Sequence, residues 1–164
     1  MTARLAKIAL LAALALYLTL VVLNNLTDYG SNYAFIEHVL SMDTTFPGNA
    51  LMWRAIHSTV IYHAAYVCII AWEATACGLL LAGTLRLWRA RGSPAPAFNA
   101  AKGLAIAGLT INLLQWLVAF ITVGGEWFLM WQSRTWNGNE TAGRMFIVTA
   151  AVLLFVNQSD GDVG

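Results

Sequence analysis

Glu73 stands in the run CIIAWEATACG, among side chains that are mostly apolar or small. A carboxyl at membrane depth is costly, so an acid retained there is a candidate for function. At about 100° per residue on a helix, Glu73 shares a stripe with Thr59, His63, Tyr66, Ile70 and Cys77. His57 points elsewhere. A second stripe runs through Ala105, Gly108, Asn112, Gln115, Ala119, Thr122 and Glu126. Small residues let helices approach closely, and amides bond across the gap. Both stripes make best sense facing each other in the centre of a bundle, with Leu, Ile, Val and Phe turned to lipid.

Three chemistries fit these stripes. In the first, His63, Glu73, Asn112 and Gln115 form a bundle core, where Glu73, protonated or paired with Asn112 or Gln115, fixes helix register. In the second, His63 and Glu73 carry protons or ions. They would lie about 15 Å apart along a helix, which is a sparse relay. In the third, His63, Glu73 and Gln115 line a quinone or haem pocket. Haem asks for two axial ligands on facing helices, or one ligand and a gas site. His63 has no histidine partner in another span, since His38 falls in a loop. Quinone asks only for one or two hydrogen-bonding groups and an apolar slot.

A metal site is a separate matter. Glu37, His38, Asp43 and His57 would offer nitrogen and oxygen ligands suited to zinc, copper or iron if they converged. Their spacing matches no ligand motif, and neighbours in sequence point apart on a helix. There is no CxxC, HExxH or phosphate-binding loop, and no Ser/His/Asp set is visible by spacing. No catalytic residue is assigned.

What must position these residues is a membrane. The 164-residue chain is 59% hydrophobic and 10% charged, against roughly 25% charged in an ordinary soluble domain. A chain this short has too little volume to hide so much apolar surface from water. The net charge of +1 points to no nucleic acid or other polyanion. Four apolar runs, at about residues 5–26, 51–88, 98–130 and 141–157, predict a single all-α membrane domain of four spans. Arg4 and Lys7 precede the first run. No small-residue cleavage site follows it, so it reads as an uncleaved anchor. The second run would make a helix longer than a bilayer is thick, so the polar stretch 53–63 is expected to protrude. The fourth run is short for a span. Cys68 and Cys77, about 13 Å apart on one helix, cannot pair and read as two small buried thiols.

Arg4, Lys7, Arg86, Arg89, Arg91 and Lys102 fall on one side of this arrangement, against Arg54, Arg134 and Arg144 on the other. The imbalance predicts both termini in the cytoplasm. Between the first two spans, residues 24–49 are expected to hold an amphipathic helix over 32–42, capped by Ser31, lying in the interface plane. Its apolar side would carry Tyr33, Phe35, Ile36, Val39 and Leu40, and its polar side Glu37, His38 and Ser41. Trp53, Trp127, Trp131 and Trp136 belong at the same outer level, where indoles favour the headgroup zone. Together they offer a surface for a partner.

The stretches NNLTDYGSNYAFIEHVLSMDTTFPGN, WRAI, AWEA and GGEWFLMWQSRTWNG, taken as a set, resemble a family of bacterial predicted small integral membrane proteins grouped as a domain of unknown function. The resemblance implies a four-span inner-membrane protein and hands over no catalytic residue. From the residues, two functions remain open. One is a non-catalytic accessory or assembly subunit of a larger membrane complex, needing no cofactor. The other is a small redox or transport protein with a quinone, haem or ion site lined by His63, Glu73 and Gln115.

Overall fold

The structure is a computed structural model, and it describes residues 1–162. The described chain is helical throughout, with no strand. Helix α1 spans Thr2–Thr27, and α2 follows after a break at Asp28, spanning Tyr29–Ser41. Helix α3 spans Thr59–Ala90. A short α4, Ala95–Ala100, leads into α5, Gly103–Leu114, which runs on as a π-helix over Gln115–Trp127. Helix α6 spans Asn139–Asn157. Four of these rods are long and apolar enough to cross a membrane: Thr2–Thr27, Thr59–Ala90, Ala95–Trp127 and Asn139–Asn157.

The main core lies between α1, α3, α5 and α6 and includes Leu11, Leu18, Ala76, Leu80, Leu109 and Val156. It is tightest where α3 crosses α5. A Cβ added at Gly83 would stand 2.6 Å from the Ala105 backbone nitrogen, and one added at Gly108 would stand 3.0 Å from that of Leu80. Two glycines thus allow a backbone approach that any larger residue would prevent.

One end of the bundle, the basic end, gathers residues far apart in sequence. The Arg4 guanidinium donates to the carbonyls of Arg91 (3.0 Å), Ser93 (2.6 Å) and Gly161 (2.8 Å). Lys7 and Lys102 both donate to the Gln158 carbonyl and to Asp160 Oδ2. Residues 4 and 161 therefore meet at the same end, as an even number of spans requires.

The opposite end, the cap end, is built from α2 and two loops. Phe35 of α2 reaches Phe120 and Trp136, each with ring centroids 6.4 Å away, so α2 spans from α3 to the third rod. The loops are tied together by Thr44 Oγ1 donating to Ser133 Oγ (2.9 Å) and the Phe46 amide donating to Gln132 Oε1 (3.0 Å). Met42 and Leu129 take left-handed backbone, each with φ 55°. That conformation costs about 1–2 kcal/mol in a residue with a Cβ. Both side chains are buried in one apolar cluster, whose packing holds the turns.

Several boundaries and faces differ from expectation. The second long helix begins at Thr59, not near residue 51. Residues 52–54 form a 3-10 turn instead, held by the Arg54 amide on the Leu51 carbonyl, while the Ile56 amide pairs with the Leu40 carbonyl of α2. Helix α2 begins at Tyr29, and Ser31 does not cap it; its hydroxyl donates to Asp28 Oδ2. Ser41 is buried, because the left-handed turn at Met42 folds the chain back over it. Cys68 faces outward, and only Cys77 is the buried thiol expected.

The π-helix changes the third rod most. Its backbone ladder reaches back five residues, as in the Phe128 amide donating to the Val123 carbonyl (3.0 Å), and the Thr122 hydroxyl also donates to the Leu117 carbonyl (2.8 Å). Wider turns advance the buried face faster along the chain. The predicted stripe therefore holds at Ala105, Gly108, Asn112 and Gln115, then slips. Gly124 and Gly125 turn inward, whereas Thr122 and Glu126 are exposed.

Candidate functional site

Glu73 is 3% exposed, on the inner face of α3. Asn25 Nδ2, near the end of α1, donates to its Oε2 at 2.6 Å. Gln115 Nε2, where α5 passes into the π-helix, donates to its Oε1 at 3.0 Å. Three of the four rods are thus joined at one carboxyl. Asn32 of α2 extends the set, its Nδ2 donating to Asn25 Oδ1 at 2.6 Å. Asn112 faces α6 and donates to Thr149 Oγ1 at 2.9 Å. Among the described residues, no lysine, arginine or histidine forms an ion pair with Glu73.

Depth follows from helical rise. Arg91 marks the basic end, and Glu73 stands about 27 Å from it at 1.5 Å per residue. The hydrocarbon core is roughly 30 Å thick. Glu73 is therefore set well away from the basic end, level with the end of α1, and the first turns of α3 rise past it beside α2.

A cavity of about 420 Å³ runs from the cap loops down to Glu73. Ser31, Asn32, Thr135 and Asn137 line its mouth, and Asn25, Tyr66 and Glu73 line its depth. Along one wall the rings of Trp136, Phe35, Phe120 and Trp116 follow one another, with centroids 6.4, 6.4 and 4.9 Å apart. Phe35, Ile36, Ile69 and Phe120 also line a second cavity, of about 270 Å³, whose other walls are almost wholly apolar.

The remaining candidates go elsewhere. His63 does not join Glu73, Asn112 and Gln115 in the core. It is exposed at the top of α3, hydrogen-bonded through Nδ1 to the Tyr29 hydroxyl (2.8 Å) and stacked on Tyr33 with centroids 4.4 Å apart. The buried stripe there starts one residue earlier, at Tyr62, whose hydroxyl donates to the Ile56 carbonyl. His63 therefore does not line one pocket with Glu73 and Gln115, which touch each other in the core. His38 pairs with Asp43 (2.7 Å), but Glu37 and His57 do not complete a ligand set: no three metal-ligating groups gather among the described residues.

Trp53 and Trp127 are exposed and meet edge to face, with centroids 5.9 Å apart. The Arg54 guanidinium lies over both rings. Trp131 is exposed beside Phe46. Trp136 is not part of this surface. It is half-buried, stacked on His38, and forms part of the cavity wall.

The family described as predicted small integral membrane proteins (DUF2165) matches residues 3–159. The chain belongs to this family. No curated protein and no solved structure matches it. DUF2165 membership agrees with the four long apolar helices and specifies no activity.

For a DUF2165 chain read from sequence, Asn25 and Trp116 were the residues missed at the cavity. Asn25 lies at the polar end of the first apolar run, beside Asn24. Its signal was its period: Leu11, Leu18 and Asn25 are seven residues apart, which places the amide on the buried face.

Proposed function

We propose that this protein is a non-catalytic accessory or assembly subunit of a larger bacterial membrane complex. The observation behind this reading is the pair of exposed rings, Trp53 and Trp127, with the half-buried Arg54 guanidinium over both at the cap end. Tryptophan and arginine are the residue types that dominate binding energy at protein interfaces. Here the arginine is already fixed between the two rings, with a further hydrogen bond to the Trp127 carbonyl (3.3 Å). Little side-chain freedom remains to be lost on docking.

The basic end would face the cytoplasm of a bacterial inner membrane. Arg4, Lys7, Arg86, Arg89, Arg91 and Lys102 all lie at or near it, which is the orientation that positive charge selects. The cap would then meet partners on the outer side.

The test is extraction in mild detergent followed by native mass spectrometry. The wild-type chain is expected to migrate with a larger partner. Replacing Trp53, Arg54 and Trp127 together by alanine should release it as a folded free chain. A wild-type chain that is free, or a triple variant that keeps the partner, would sink the proposal. The redox reading predicts a visible haem band or an extractable quinone with the purified chain.

A further inference from the structure

We infer that the cavity ending at Glu73 is a binding site for a small organic cation with an apolar body. This goes beyond the accessory role and does not depend on it. Its floor is a carboxyl that accepts only amide hydrogen bonds and has no cationic partner among the described residues. Each carboxylate oxygen accepts two or more hydrogen bonds, so capacity remains after Asn25 and Gln115 are counted. Its wall is an unbroken line of four aromatic rings, Trp136, Phe35, Phe120 and Trp116.

An acid at the base of an aromatic-walled recess matches one ligand chemistry. Ring faces attract cations, tryptophan most strongly, and quaternary ammonium groups are recognised this way. The low-dielectric surroundings strengthen the attraction between the carboxylate and the ammonium. Anions would meet the carboxylate head on. An uncharged apolar molecule would gain the walls but leave the acid without a counter-charge. At about 420 Å³, the recess is within the range that holds small molecules. Its mouth between Asn32 and Asn137 gives entry from the cap end, without passage through the core.

The neighbouring 270 Å³ cavity is the internal contrast. It shares Phe35 and Phe120, yet neither Glu73 nor any other acid lines it. It should show no preference for charge.

The test uses the full chain in lipid nanodiscs and calorimetric titration, with empty nanodiscs subtracted. The probes are benzyltrimethylammonium and its uncharged carbon isostere, neopentylbenzene. The cation should bind roughly tenfold or more tightly than the isostere. Glu73→Gln should shrink that preference severalfold, chiefly by weakening the cation, while the isostere binds as well or slightly better. Trp136→Leu, outside the four spans and harmless to their packing, should weaken the cation about threefold to tenfold. Equal affinity of the two probes, no binding of the cation, or a cation affinity untouched by both substitutions would overturn the inference. Each of these results is independent of whether a protein partner is found.

Discussion

Two buried carboxyls, one near each end of the bundle, have opposite surroundings. Asp160 accepts from the ammonium groups of Lys7 (2.7 Å) and Lys102 (2.5 Å), while its backbone amide donates to Asn99 Oδ1 (3.0 Å). Arg4, also buried, ties the adjoining segment at Gly161 to the α3–α4 turn. Glu73 is as deeply buried, but it accepts from two neutral amides and a cavity reaches it. At the basic end more positive charge is buried than negative, and the acid is the counter-ion. At the cap end the acid stands alone. The comparison separates a locked end from an open one: Asp160 is held by two ammonium groups, whereas Glu73 has only amide partners and a cavity beside it.

The isosteric amide at each position measures this difference directly. Asp160→Asn should be the more damaging change by far, because it strands two buried ammonium groups. Breaking a buried pair by removing one partner costs about 3–5 kcal/mol. The midpoint of unfolding in mild detergent, followed by circular dichroism, should fall accordingly. An Asp160→Asn chain as stable as the wild type would mean that the basic end is wetter and looser than its hydrogen bonds indicate.

Acid attacks the same lock more gently. Burial pushes the Asp160 carboxyl up, but the hydrogen bonds and charges of Lys102 and Lys7 outweigh burial and hold it below its ordinary value. A lowered folded value means stability that is complete above the ordinary carboxylate range. It is lost as pH falls through that range toward the folded value. Below about pH 4, protection against hydrogen exchange at residues 158–162, taken relative to the intrinsic rate at each pH, should therefore fall. The loss should be smaller than for Asp160→Asn wherever protonation is incomplete. Protection that persists well into the acid range would show that the two lysines do not depend on this counter-ion.

A third contrast lies in packing rather than charge. Gly83→Ala places a methyl against the Ala105 backbone and forces α3 and α5 apart, at a cost of about 1–3 kcal/mol. Gly78→Ala, on the same helix with nothing within 4 Å, should be neutral or slightly stabilising. Equal effects on thermal unfolding would mean that the close crossing contributes nothing.

The four rods were legible in the sequence because hydropathy and length determine them almost alone. So were Glu73, Asn112 and Gln115 as inward residues, since α-helical period places them up to Gln115. Beyond that residue the period itself changes, and no residue type in QWLVAFITVGGEW announces a five-residue ladder. Thr122 and Glu126 were misplaced for that reason. His63 was misplaced because a stripe extended by period ignores what covers it: α2 claims the neighbouring face for Tyr62 and Tyr66. Asp160 went unread because a polar segment following a last span resembles solvated chain. Only the three-dimensional meeting of residues 4, 7, 102 and 160 gives it a role.

The fourth prediction returns to Glu73. Glu73→Gln keeps the side chain's size and removes only an acid that forms no ion pair among the described residues, so little Coulombic attraction within the fold is lost. One amide donor would then face the new NH2 group. Gln115 can relieve this by turning over, because its own Oε1 has no partner and would accept from the new side chain. The net cost should be about 1 kcal/mol or less, the worth of a single rearranged hydrogen bond. Thermal unfolding beside the Asp160→Asn chain measures it. A loss as large as that of Asp160→Asn would place Glu73 among the residues that hold the bundle together, and the distinction between a locked and an open end would fail.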